Sequence, residues 1–348
     1  KPDTDKLTQF HMDIAASVQA VTEEVVLTIT RSLAKEYSIP NLCMAGGVAL
    51  NCVANGKILR DKAFKDIWIQ PASGDAGGAI GCALAVWHKE LNKPRVVNPN
   101  DAMQGSYLGP SYEQDVIKNK LLECGAIFDS LSEDKMIEQT AQALADGMAV
   151  GWFQGRMEFG PRSLGGRSIL GDPRSEDMQK TLNLKVKYRE SFRPFAPSVL
   201  SEDVSEWFEA DYDSPYMLLV DDVKKDKRIK MTREEGFLFG IDKLNIKRSS
   251  IPAVTHVDYS ARIQTVHKET NPKYHALITK FKENTDCSVL VNTSFNVRGE
   301  PIVCTPEDAF KCFMGTDLDM LVVDNCIIRK DQQDELLTED YKDKYKLD

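Results

Sequence analysis

The sequence predicts an α/β fold, on two observations. Within the first ninety of 348 residues, a strand running into a glycine turn and then a helix occurs twice. Beyond residue 110 helical and strand-like stretches keep alternating, though less strictly. The first pattern is that of parallel strands joined by crossover helices, and the second fits a mixed sheet. At roughly 150 residues per domain, the length suits about two domains.

Each element has a local reason. Between His11 and Tyr37, Ile14, Val18, Val21, Val25, Ile29 and Leu33 recur every three or four residues, an amphipathic helix that Pro40 stops. Leu42 to Ala45 reads as a short strand, followed by the Gly46-Gly47 turn and a helical stretch to about Lys62. Asp66 to Pro71 is a second strand, followed by the turn Ser73-Gly-Asp-Ala-Gly-Gly78 and an apolar helix, Ala79 to Leu91. The proline-rich turns between Asn92 and Gly109 mark a domain boundary. Helices are then expected near 111–123, 132–146, 175–184, 272–284 and 305–314, and strands at 148–154, 193–200, 216–221, 287–291 and 319–329. Asp221 to Ser250, with six acids, nine bases and few apolar residues, reads as a mobile surface insertion. The chain from Asp331, with seven acids and three bases, reads as a solvated end.

Composition excludes several classes. With 42% hydrophobic and 28% charged residues, the chain is neither disordered nor a fibrous or disulfide scaffold. A net charge of −9 argues against a nucleic-acid partner. No apolar run approaches the ~18 residues of a membrane span. The eight cysteines form no C-x-x-C pair and read as small buried hydrophobes in a reducing, cytoplasmic setting. The five histidines show no pairing, and no hydrolase signature occurs.

Against the acidic background, residues 156–193 hold nine bases and five acids. Arg162, Arg167, Lys187 and Arg193 alternate there with Gly, Pro, Phe and Leu, which holds them against a fold. Three or four charge-assisted bonds, each about 1.5–3 kcal/mol, would retain a triphosphate or an acyl phosphate. Surface salt bridges to Glu158, Asp172 and Glu190 are the alternative. The Gly46-Gly47 turn is either a phosphate site at a helix start or a plain tight turn. Asp75 is a helix cap, a metal ligand or an organiser of phosphate and water. Thr255 to Val266 is strand-like with Arg262 among apolar neighbours. Ser288 to Pro301 is an apolar strand that breaks into Asn292, Thr293, Ser294 and Asn296, either a ligand crevice or a polar loop.

The segments GPRSLGGRSILGDPR, KYRESFRPFAPS, DYSARIQTV and VNTSFNVRGEP, in this order, resemble the O-carbamoyltransferases of nodulation-factor and antibiotic biosynthesis, over nearly the whole chain. The resemblance implies a partial actin-like (ASKHA) lobe at 1–100, a YrdC-like α/β domain with a mixed twisted sheet at 101–335, and an acidic tail at 336–348. It implies that carbamoyl phosphate and ATP give carbamoyl adenylate, whose carbamoyl group passes to the hydroxyl of a small-molecule acceptor, a sugar or natural product. Arg162, Lys187, Arg193 and Arg262 would hold carbamoyl phosphate and the ATP phosphates, with Ser294 in the same catalytic group. Asn292, Asn296 and Arg167 would bind substrate, and Gly46, Gly47 and Asn51 would line a second nucleotide site. Asp75 would ligate iron, magnesium or another divalent metal.

The family's first lobe carries a phosphate loop and a His-x-x-x-His metal pair, and neither is present in this sequence. A catalytic metal needs about three protein ligands. The expectation is therefore a C-terminal fragment that binds ATP and carbamoyl phosphate without completing transfer. A homodimer is compatible with the sequence. Two other readings stand beside this one: (threonyl)carbamoyl transfer to tRNA or to a protein thiol, and a nucleotide-binding module without chemistry.

Overall fold

A computed structural model describes residues 8–98, 101–189, 193–238, 241–244 and 246–338. Glu190 and most of the expected acidic tail lie outside the described residues.

The first unit contains helix α1 (Gln9–Tyr37), strand β1 (Asn41–Met44), helix α2 (Cys52–Asp61), strand β2 (Asp66–Ile69) and helix α3 (Gly77–Ala85). Strands β1 and β2 pair in parallel, as the repeated strand–turn–helix pattern predicts. The apolar stripe of α1 faces outward: Ile14, Val18, Val21, Val25, Ile29 and Leu33 are 37 to 61% exposed. The polar side of α1 packs inward instead, where Gln19 bonds Asn51, Glu23 pairs with Lys57 and Arg31 pairs with Asp61, all toward α2.

The rest of the chain forms a mixed nine-stranded sheet. Its elements are helix α4 (Gln114–Glu123), strand β3 (Asp129–Ser130), helix α5 (Glu133–Ala145), strand β4 (Val150–Phe153), strand β5 (Arg167–Gly171), helix α6 (Met178–Thr181), strand β6 (Ala196–Leu200), helix α7 (Val204–Trp207), strand β7 (Leu219–Asp222), helix α8 (Arg233–Gly236), helix α9 (Ile241–Leu244), strand β8 (Ser260–Val266), helix α10 (Pro272–Thr285), strand β9 (Val289–Ser294), helix α11 (Pro306–Met314), strand β10 (Met320–Val323) and strand β11 (Cys326–Arg329). The order is β3-β11-β10-β4-β5-β9-β6-β8-β7. Among the described residues of this sheet only β10–β4 and β6–β8 pair in parallel.

Three expectations need correction. The segment 156–174 contains a wholly buried strand, β5, which completes the sheet between β4 and β9; its Gly- and Arg-rich approach hid it. The single strand expected at 319–329 is a hairpin, because Asp324 takes a positive φ of 47° and turns the chain back. The insertion at 221–250 is anchored at its base. Arg248, nearly fully buried, donates to the carbonyls of Lys243, Leu244, Thr255 and His256, and Arg228 pairs with Asp222. None of the eight cysteines is paired; Cys287, Cys312 and Cys326 are buried as expected, but Cys43 and Cys82 are exposed.

The two parts meet along α2 and β7. Asn55 donates to the Ala49 and Leu218 carbonyls at 2.8 and 3.0 Å, and Arg60 donates to Val220 O at 2.7 Å. Gly56 permits this approach, since a Cβ there would lie 2.2 Å from Val220 O. Ala49 and Ile69 join Leu164, Met217, Leu218 and Leu219 in a small apolar cluster at the join.

Gly165 has φ +106°, and a Cβ on it would lie 2.2 Å from the buried Tyr274 ring. Gly165→Ala combines backbone strain with overpacking, so it should lower the unfolding free energy by about 3 kcal/mol. The denaturant midpoint should fall while the slope stays constant.

Candidate functional site

The candidate site is assembled by strand parity. Alternate residues of a strand share a face. On β8 these are Arg262 and Gln264, on β6 Ala196 and Ser198, and on β9 Asn292 and Ser294. Ser198 lies opposite Gln264, and Asn292 opposite Ala196. One face of the central sheet therefore carries an arginine and a row of small polar groups.

A loop closes over this face. The Glu158 carboxylate accepts the backbone N–H of Leu164 (2.6 Å), Gly166 (2.7 Å) and Arg167 (3.4 Å). It thus folds the glycine-rich turn and fixes Arg162 and Ser163 ahead of it. From the other side, Asn183 donates to Arg193 O at 2.9 Å and accepts from Arg189 Nε at 2.7 Å, while the Arg189 guanidinium stacks 5.0 Å over Phe195.

The result is a cavity of about 280 Å³ lined by Arg162, Ser163, Arg189, Arg193, Arg262, Asn292 and Ser294, with Met217 and Phe195 among its apolar walls. Among the described residues no carboxylate lines it. Among the described residues Arg162 makes one long contact, 3.5 Å to Leu50 O, and its buried Nε has no partner. Burial, reinforced by the Arg262 charge, pushes the Arg162 guanidinium down to about 10. Ser163 Oγ and Asn292 Oδ1 are likewise buried without a partner. A cluster of cations with unused polar atoms around a concave space has the chemistry to accept an anion. A larger cavity of about 740 Å³ lies beside Trp68 and Tyr216, but Asp101, Asp213 and Glu269 line it and disfavour anions.

Five of the expected residues thus meet: Arg162, Arg193, Arg262, Asn292 and Ser294. Lys187 and Asn296 stand directly behind Ser294. The Lys187 amine donates to Ser294 O, to Ser294 Oγ at 3.2 Å, and to Asn296 O and Oδ1 at 2.9 and 2.8 Å. Lys187 therefore sets the end of β9 rather than lining the cavity. Burial, reinforced by the Arg189 charge, pushes its amine down to about 7.

Arg167 lies outside the site. It is wholly buried, stacks 3.5 Å over Phe153 and donates to the carbonyls of Pro110, Gln154, Gly155 and Gly166, so it is a structural tie. Of the three acids that could bridge the basic segment, Glu158 serves backbone amides, Asp172 pairs only with Arg174 among the described residues, and Glu190 lies outside them. Gly46 and Gly47 form an open turn, with Gly46 N bonded to Ser73 O at 2.8 Å. Asn51 caps α2 through Ala54 N and pairs with Gln19, so its amide is engaged in structure. Asp75 is exposed and caps no helix. Among the described residues no three His, Cys, Asp or Glu side chains converge as a metal site. Asp75 alone does not fit a catalytic divalent metal, and no step is assigned to one.

Reading from sequence missed Ser163 and Arg189 as lining residues and Ser198 and Gln264 behind them. The parity that carries Arg262 to the cavity also carries Gln264, which is the signal that was available.

Comparison with known proteins gives the family. Residues 141–330 match the model for the carbamoyltransferase C-terminus, and residues 2–84 match the carbamoyltransferase N-terminus. An uncharacterised protein of Synechocystis is 60% identical over 329 residues, which are 94% of this chain and 54% of that one. The nodulation protein NolO of Bradyrhizobium diazoefficiens is 42% identical over 327 residues, 93% of this chain and 55% of that one. The 3'-hydroxymethylcephem-O-carbamoyltransferase of Streptomyces clavuligerus is 32% identical over 284 residues, 81% of this chain and 48% of that one. The chain thus spans about half the length of these curated relatives, and it belongs to the carbamoyltransferase family. Among the described residues no helix is long and apolar enough to cross a membrane.

The Lys187 amine titrates near 7 when folded and near 10.5 when free. Between those values the unfolded chain binds more protons, so unfolding free energy rises with pH across the window. Denaturation curves should show wild type gaining stability relative to Lys187→Met from pH 7 to about 10. A difference that stays flat would mean that Ser294 and Asn296 keep the amine charged.

Proposed function

We propose that this chain carries the acyl-phosphate-activating part of an ATP-dependent O-carbamoyltransferase. Residues 101–335 would act as a YrdC-like domain and residues 1–100 as one lobe of an actin-like domain. In the activating step, carbamoyl phosphate, ATP and one water give carbamoyl adenylate, phosphate and pyrophosphate. The carbamoyl group then passes to a hydroxyl of a sugar or natural product, in keeping with the O-carbamoyltransferase named from Streptomyces clavuligerus.

One observation carries this reading: an arginine cavity that no carboxylate lines among the described residues, with buried polar atoms that lack a partner among them. Two anions repel each other, and fixed guanidinium groups offset that repulsion without reorganising during the reaction. Arg162 and Arg262 hold phosphate oxygens on the inner wall, and Arg189 and Arg193 hold those nearer the mouth. Ser294 offers a hydroxyl, fixed by Lys187, to the acyl phosphate. The volume, a little under the roughly 300 Å³ that begins the usual range of ligand pockets, suits a small acyl phosphate with part of a triphosphate. Enclosure protects a labile mixed anhydride from water. Leu50, at the end of the open glycine turn, touches Arg162, which sets the first unit beside the activated carbonyl. A divalent metal and the second nucleotide site would draw on residues beyond those that meet here.

The test is pyrophosphate exchange into ATP, dependent on carbamoyl phosphate, together with equilibrium binding of phosphate. Wild type should exchange. Arg262→Ala, which removes a guanidinium with no hydrogen-bond partner among the described residues, should weaken carbamoyl phosphate binding about 10- to 100-fold and lower exchange in step. Binding without exchange would assign the chain to the nucleotide-binding module reading. Full exchange by Arg262→Ala would remove the cavity from the reaction.

A further inference from the structure

Around Asn292, hydrogen-bond polarity is dictated from a backbone carbonyl. Leu164 O can only accept, so the Gln264 atom 2.7 Å from it is the amide nitrogen. Gln264 Oε1 then faces Ser198 Oγ at 2.6 Å and the Asn292 amide at 2.8 Å, and both must donate to it. Asn292 accordingly turns its Nδ2 this way, where Ser198 Oγ (3.0 Å) and Ser163 O (3.1 Å) also accept from it. Flipping either amide would bring oxygen against oxygen. The consequence is that Asn292 Oδ1 is left over. It is buried with no donor, on a residue that lines the arginine cavity and is only 1% exposed.

A lone, neutral acceptor on a residue that lines this arginine cavity asks for a ligand that brings a donor with its negative charge. The fully ionised phosphoryl oxygens of an acyl phosphate cannot satisfy it. The amide N–H groups of a carbamoyl moiety can, whereas a methyl group of similar size cannot.

We propose that Gln264 and Ser198 are positioning residues that hold the Asn292 amide with Oδ1 toward the cavity, making the site select acyl phosphates whose acyl group bears N–H donors. This rests on the cavity being the acyl-phosphate site. Rejection of the analogue follows from leaving a buried acceptor unpaired rather than from shape.

The test is calorimetric binding of inorganic phosphate, carbamoyl phosphate and acetyl phosphate to the full chain. Wild type should prefer carbamoyl over acetyl phosphate by roughly tenfold to a hundredfold. Gln264→Leu, and the milder Ser198→Ala, should shrink that ratio severalfold while inorganic phosphate binds within about threefold of wild type. If the variants lose stability yet keep the ratio, Gln264 and Ser198 have only a structural role and the proposal fails. If wild type binds acetyl and carbamoyl phosphate equally, the selectivity is absent although the anion site stands. If wild type binds none of the three, the acyl-phosphate reading itself falls, and the inference with it.

Discussion

Positive charge gathered around one cavity, with no carboxylate among the described residues that line it, is the constraint on which the site depends. Burial and the Arg262 charge both disfavour the Arg162 guanidinium. Side chains left free would relieve this by swinging into water, where like charges are screened. The fold prevents it from both sides: Glu158 gathers three amides of the following turn, and Asn183 clasps the loop that carries Arg189 and Arg193. An anion entering the cavity would offset that electrostatic cost, and such a ligand would stabilise the folded chain by mass action.

The rigid sheet supplies the precision. A two-residue period places Arg262 and Gln264, then Asn292 and Ser294, on the same face of adjoining strands, so neither pair relies on a flexible connection. Lys187 reinforces the edge of this face: it ties the basic segment to the last residue of β9 through Ser294 and Asn296. A cationic side chain can thus serve an anion site by shaping a neighbour.

Legibility from sequence followed the physics of each feature. Parallel pairing of β1 and β2 was readable because glycine turns and apolar runs are local signals. Arg162, Arg193 and Arg262 were found through charge set among Gly, Pro and apolar residues, a pattern that also misassigned Arg167. Its interception by four carbonyls is tertiary, since Pro110 lies far from Gln154 and Gly155 in the chain. Strand β5 was hidden because its pairing partners, rather than its composition, make it a strand. The amphipathic stripe of α1 was legible as a helix, but periodicity cannot say which side packs: the polar side does, through Glu23, Gln19 and Arg31.

Why the middle of the sheet holds amides and hydroxyls rather than carboxylates follows from the same constraint. An aspartate at position 292 would offer an acceptor too, but its charge would pair with Arg162 or Arg262 and fill the cavity electrostatically before any ligand arrived. It would also repel the phosphate that the arginines attract. A neutral amide accepts a hydrogen bond without either effect, provided its orientation is set. Gln264 and Ser198 set it by passing the fixed polarity of Leu164 O across β8 and β6 to β9. The network thereby separates two demands within one small space: charge is supplied by guanidinium groups around the cavity, and donor recognition by an uncharged oxygen on the sheet.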